Sequence, residues 1–221
     1  MTTPKSPGGG GIAFLQLGIQ GGTTGAIADL LSLAGDVEYA RWCAQTYLQW
    51  MSTGGPQGPE ADNLRRAIWT AACISYRRVF TSGKGHLNPQ TPRQRPNDNF
   101  TAALTSEQLA VHNSVLETAN RHVAHRVNEL EQVIISALLN PPPLPRAISN
   151  IATMMLHYLG PKDAEEVEHF IAVCDLLLAG TRHEYGRLSD QALEDLRQRD
   201  LDEMYAAAEA QAQSSTEQGN T

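Results

Sequence analysis

The chain is short of most features that assign a protein quickly. Only three cysteines occur in 221 residues, Cys43, Cys73 and Cys174. They are widely spaced, odd in number and set among apolar neighbours, which fits neither a disulfide framework nor a zinc site and makes them reduced core residues of a cytoplasmic protein. Long apolar runs are missing as well. The longest near the start, Ile12 to Ile19, is far below the roughly 20 residues that span a bilayer. Only Lys5 precedes it as a basic residue, so neither a membrane span nor a signal peptide is expected. No Ser-His-Asp arrangement or Cys-x-x-Cys pair is present, and the four glycines at 8–11 precede no strand, so they are no nucleotide fingerprint.

Acids are absent from Asn63 to Asn97, where Arg65, Arg66, Arg77, Arg78, Lys84, Arg93 and Arg95 supply seven positive charges. From Asp190 onward the balance reverses: eight acids against Arg197 and Arg199 account for −6 of the net −7. Such asymmetry has two readings. The basic stretch holds a phosphate backbone, as in an RNA partner, or it is a face that meets acidic helices of the same fold.

What remains is ordinary globular material. Hydrophobic residues at 41% and charged residues at 19% exclude a chain disordered throughout, and the length suits one core with appendages. The reading is a mainly α fold, a helical bundle of about five helices. A flexible Gly-rich leader covers 1–23, the bundle domain 24–188 with a basic loop at 82–99, an acidic helical extension 189–212, and a disordered tail 213–221. A short helix from Ala26 to Ala34 leads into one capped by Asp36, with Val37, Tyr39, Ala40, Cys43, Tyr47, Leu48 and Met51 inward and Gly54-Gly55-Pro56 as its stop. A second helix runs from Glu60 to Phe80, with Leu64, Ile68, Ala71, Ala72, Ser75, Tyr76, Val79 and Phe80 on its apolar side. Thr105-Ser106 opens the most regular helix, with Leu109, Leu116, Val123 and Leu130 at intervals of seven. Within 131–159, the β-branched QVIISALLN, the breaker PPPLP and AISNIATMMLHYL fit a short β-hairpin or a helical continuation equally well. Pro161 opens the last long helix, with Val167, Phe170, Ile171, Cys174, Leu177 and Leu178 inward.

Chemistry concentrates on the third helix. Arg121 and His125, four apart, share a face turned from the Leu116–Val123 stripe. An imidazole with a fixed positive charge beside it can cleave RNA through the RNA's own 2′-hydroxyl without metal. The alternative is a solvated face on which Glu117 pairs with Arg121 and Glu129 with His125. The segment containing Asn120, Arg121, His122, Ala124 and His125 resembles the RNxxAH segment of HEPN-type helical domains, small bundles that include ribonuclease toxins and RNA-processing modules. The resemblance implies a metal-independent endoribonuclease or an RNA-binding relative, with Arg121 and His125 central, Asn120 and His122 supporting, and a homodimer whose two copies build one composite site. The family motif sets four to six residues between arginine and histidine; three intervene here, which implies a variant pair or an inactive member used for binding.

One metal motif, Glu166-x-x-His169, stands alone. Di-iron bundles need two such motifs and two further carboxylates, so no metal and no cofactor are assigned. His86 and His157 have structural readings, as an exposed loop residue and a satisfied, partly buried one. Trp42, Trp50 and Trp69 are read as core or interface anchors. A non-catalytic interaction protein, engaging a protein partner through its helices and its acidic C-terminal helix, is the competing function, and no membrane partner is expected.

Overall fold

Two long helices determine how everything else sits. In the computed structural model, which describes residues 14–19, 21–55, 57–96, 98–123 and 132–218, helix α1 spans Gly22–Thr53 and ends on Gly54 in the left-handed conformation. The break expected before Asp36 does not occur. Gly35 costs a helix interior about 1 kcal/mol, and the packing of α1 along its length against α2 and α4 offsets that cost. Asp36 is therefore no cap; it lies on the buried side of an unbroken helix.

Helix α2 (Pro59–Phe80) starts with proline, carries Glu60 and Asp62 in its first turn and Arg77 and Arg78 in its last, each placed where the helix dipole favours it. A 3-10 turn, Asp98–Ala103, leads to α3 (Ser106–Thr118). Thr105 and Gln108 close a capping box: the Thr105 Oγ1 accepts from Gln108 N at 3.2 Å and the Gln108 Oε1 from Thr105 N at 3.0 Å. The chain then enters a π-helical turn, Ala119–Val123. The rest of the helix expected up to Glu131 lies outside the described residues.

Between α3 and α4 stand strands β1 (Gln132–Leu139) and β2 (Ile148–Leu156), an antiparallel pair, so the hairpin reading of 131–159 is the correct one. Helix α4 (Ala164–Arg197) is capped by Asp163, whose side chain accepts from Glu165 N at 3.0 Å, three residues into the helix expected from Pro161. It passes through Gly186 and Ser189 without interruption. After it, Asp200 Oδ1 accepts from the backbone of Asp202 and Glu203 and starts α5 (Leu201–Gln218), which reaches into the stretch expected as a tail. No helix among the described residues is long and apolar enough to cross a membrane.

The core is built where α1, α2, α3 and α4 meet. Tyr47 of α1, Trp69 and Tyr76 of α2, and Phe170 of α4 form a buried aromatic chain, with Trp69–Phe170 centroids at 5.6 Å and Tyr76–Phe170 at 4.9 Å. Cys43, Cys73 and Cys174 are free thiols inside this core, as their apolar neighbours suggest. Several expected inward residues are outside instead: Tyr39 stacks on Trp42 at the surface, and Leu64 and Leu109 are exposed. On α3 the buried side is Val111, His112, Val115 and Thr118, continued by Ala119 of the π-helical turn. That side is rotated from the seven-residue stripe because His112 turns inward to meet the Tyr76 hydroxyl at 2.6 Å.

The chain returns from β2 to α4 through one tight turn. Gly160 has φ +115°, and a Cβ there would lie 2.6 Å from the Tyr47 hydroxyl, which itself donates to the Pro161 carbonyl at 2.9 Å. Gly160→Ala is expected to lower unfolding free energy by about 1–3 kcal/mol in urea titrations. In a Tyr47→Leu background, which removes the hydroxyl and the ring carbons Cζ and Cε2 that the new Cβ would meet at 2.6, 2.8 and 2.9 Å, the same change should cost less; an equal cost in both backgrounds would refute the steric account.

Candidate functional site

The basic segment is fastened to α1 by two carboxylates. Asp29 and Asp36 lie seven residues apart, two helical turns, and so face the same way. Both are buried, on a stripe otherwise made of Leu33, Val37 and Ala40. Asp29 Oδ1 accepts from the His86 backbone N–H at 2.8 Å, with His86 Nδ1 at 3.3 Å, and Oδ2 accepts from Gln94 N at 3.0 Å. Asp36 faces Arg78 at 3.3 Å and Arg93 at 3.4 Å, and Arg93 also donates to Ser32 Oγ at 3.2 Å. Between these anchors the loop closes on itself through Arg93 N to Gly83 O at 2.8 Å and Gly85 N to Thr91 O at 3.0 Å. Burial raises the Asp29 carboxyl, but the Gln94 and His86 backbone donors and the His86 ring outweigh it and leave it below the ordinary value.

The seven basic residues therefore have separate surroundings. Arg78 and Arg93 meet Asp36. Arg65 pairs with Asp62 at 3.8 Å and lies over the Tyr47 ring, while Arg66 meets His157 Nδ1 at 3.0 Å. Lys84 and Arg95 are exposed and Arg77 is half-buried. The arginine pairs of α2 are twelve residues apart, about 18 Å along the helix axis, so α2 by itself does not gather them into one patch.

On the third helix, Asn120 and Arg121 are exposed on the π-helical turn, and Arg121 pairs with Glu117 at 2.9 Å. His122 belongs to the same turn by its backbone; His125 lies outside the described residues. His112 has a structural role, since it is buried against Tyr76 between the Phe80 and Phe100 rings, and burial holds its imidazole below the ordinary value. Among the described residues no group of three His, Cys, Asp or Glu side chains is placed to hold a metal ion. A cavity of about 530 Å³ opens between α1, the loop, the 3-10 turn and α4, floored by Leu30, Leu33, Phe100 and Leu177 with Arg95 and His183 at its lining.

The other distinctive surface is the hairpin. Its strands pair from Gln132 opposite Leu156 to Leu139 opposite Ile148. The connection is held by Asn140, which donates to the Pro145 carbonyl at 2.9 Å through its side chain and to Ala147 at 3.0 Å through its backbone. Beyond marginal touches, neither strand packs on any helix among the described residues. Val133, Ile134, Ile135, Leu138, Leu139, Ile148, Ile151, Met154, Met155 and Leu156 are all exposed. No family model, curated protein or solved structure matches the chain.

Sequence reasoning took Asp36 for a helix cap and passed over Asp29 and the exposed ribbon. Asp29 and Asp36 fall at core spacing with Leu33, Val37 and Ala40, and an acid on an apolar stripe is a signal for a buried partner. The ribbon has its own signal: from Gln132 to Leu156 the only charge is Arg146.

Because the Asp29 carboxyl is held low, its contribution to stability is complete above the ordinary aspartate value of 3.8 and drains away as pH falls through the lower native value. Asp29→Asn is expected to destabilise the fold at neutral pH and to flatten its acid limb below about pH 4. Denaturant titrations across pH check this; a variant with an unchanged acid limb would show that Asp29 carries none of it.

Proposed function

We propose that the protein is a non-catalytic interaction module: a helical bundle that presents the β1–β2 hairpin to another polypeptide with an apolar surface. One observation carries this reading. The hairpin, with Leu144 at its turn, exposes eleven large apolar side chains by 42–70% over its two faces, and the six on one face alone make a patch on the order of 600 Å² at roughly 100 Å² each. The largest apolar patch on an ordinary monomer is about 300–600 Å² and is itself often functional. The basic residues support the same reading by their arrangement, since the buried Asp36 takes up two of the seven cations.

RNA binding or metal-independent RNA cleavage through Asn120, Arg121, His122 and His125 is the second reading, favoured by the π-helical turn that bears the first three. Such turns are rare and recur at functional sites. In this reading Arg65, Arg66, Arg77, Arg78, Lys84, Arg93 and Arg95 would supply the phosphate contacts.

Two assays separate the readings. With the chain immobilised in extract of its source cells, Ile135→Lys combined with Ile151→Lys should abolish capture of a defined protein, whereas Arg121→Ala combined with His125→Ala should leave it intact. In excess EDTA the wild type should leave a broad RNA pool uncut. Cleavage that disappears in both Arg121→Ala and His125→Ala, with all proteins folded, would replace the interaction reading by the nuclease one.

A further inference from the structure

The hairpin has two unlike faces. Cross-strand partners point to the same side of a sheet, so the register puts Val133 with Met155, Ile135 with Thr153, Ala137 with Ile151 and Leu139 with Ile148 on one face. Every residue there except Thr153 is apolar, and its six large apolar side chains are 57–70% exposed. The opposite face sets Ser136 and Asn150 among Ile134, Leu138, Met154 and Leu156, and these four are 42–57% exposed.

We infer that the first face is covered by the same face of a second copy of this chain, the two hairpins stacking as a two-layer β-sandwich about a two-fold axis. The inference rests on the interaction reading above and names the occupant. Size supports it: six side chains at roughly 100 Å² each give on the order of 600 Å² per copy, or about 1,200 Å² for the pair, at the lower bound of a specific interface. Chemistry supports it too. A face without a charged group has nothing to offer a nucleic acid or a charged peptide, but it is complementary to itself, as a two-fold interface requires. Stacking also supplies the packing layer that an isolated two-stranded ribbon lacks.

The strand edges decide between this arrangement and its competitors. In a bilayer, the unpaired backbone groups along both edges would have no partners; in a stacked pair they remain in water. Growth edge to edge is blocked at β2, where the pairing slips past Ser149 and the Ile151 N–H is taken by the Asn150 side chain at 2.8 Å. Face-to-face stacking about a two-fold axis uses the same face of both copies and so closes at two.

The test is sedimentation velocity with the full chain at about 1–100 μM, a span set by the micromolar or tighter affinities of interfaces near this size. The wild type should run at twice the mass of one chain. Ile135→Lys with Ile151→Lys should run as a monomer with unchanged helical circular dichroism, and Ser136→Lys, on the opposite face, should stay dimeric. Ile135→Cys should form an intermolecular disulfide under mild oxidation. A wild type that is monomeric throughout, or a dimer broken by Ser136→Lys and not by the Ile135/Ile151 pair, overturns the inference. If the monomer still captures a different protein through the hairpin, the interaction reading survives and only the second copy is lost; if capture also fails to depend on the hairpin, both fall. Co-sedimentation of a monomeric wild type with phosphatidylcholine vesicles would assign the face to lipid and overturn the second copy as occupant.

Discussion

A carboxylate taken out of water must be given donors or it destabilises the fold that buries it. Helix α1 buries two, and this single requirement organises one end of the molecule. Asp29 takes backbone donors from both arms of the 82–96 loop, and Asp36 draws in one arginine from the end of α2 and one from the loop. A stretch with the composition of a free linker is thereby held as a strap across the spine helix. The 3-10 turn and α3 that follow it start from a fixed place.

The opposite end of α1 is secured by a different device. Tyr47 fills the angle between α1 and the entrance of α4, its ring in the aromatic chain and its hydroxyl on the Pro161 carbonyl. Ion pairs between Arg41 and Asp175 and between Glu38 and Arg182 run along the α1–α4 seam between the two ends. These pairs are largely exposed and contribute little individually; the seam is held by Leu33, Val37, Ala40 and Ala44 against Val173, Cys174, Leu177 and Leu178. Within this frame several of the charged side chains serve the chain's own architecture, while the β1–β2 ribbon is an exposed apolar surface.

How far this was legible from the residues depends on what competed with each pattern. The helices of the bundle were legible, because three-to-four spacing and caps such as Thr105 with Gln108 act locally. The continuity of α1 was not: Gly35-Asp36 is a good helix start by local rules, and only the remote Arg78 and Arg93 make it a helix middle. The inward side of α3 was misplaced for a similar reason, since a polar residue, His112, is the buried one. Alternation could not decide the hairpin because both of its faces are rich in apolar residues. For the candidate site, the Glu117–Arg121 pair was readable from its spacing, while the attachment of Arg78 and Arg93 to Asp36 and of Arg66 to His157 arises from tertiary partners. His125, on which the family resemblance leans, lies outside the described residues.

Among the described residues, the hairpin rises between two helices whose core contacts do not involve it. A substitution on its outer faces removes no buried neighbour, so the bundle folds with little regard to what the ribbon displays. Selection on those residues then acts through what they bind and hardly at all through folding. In a set of related chains, the ribbon's pattern of tolerated changes would be a record of the partner's surface, kept apart from the record of the core that carries it.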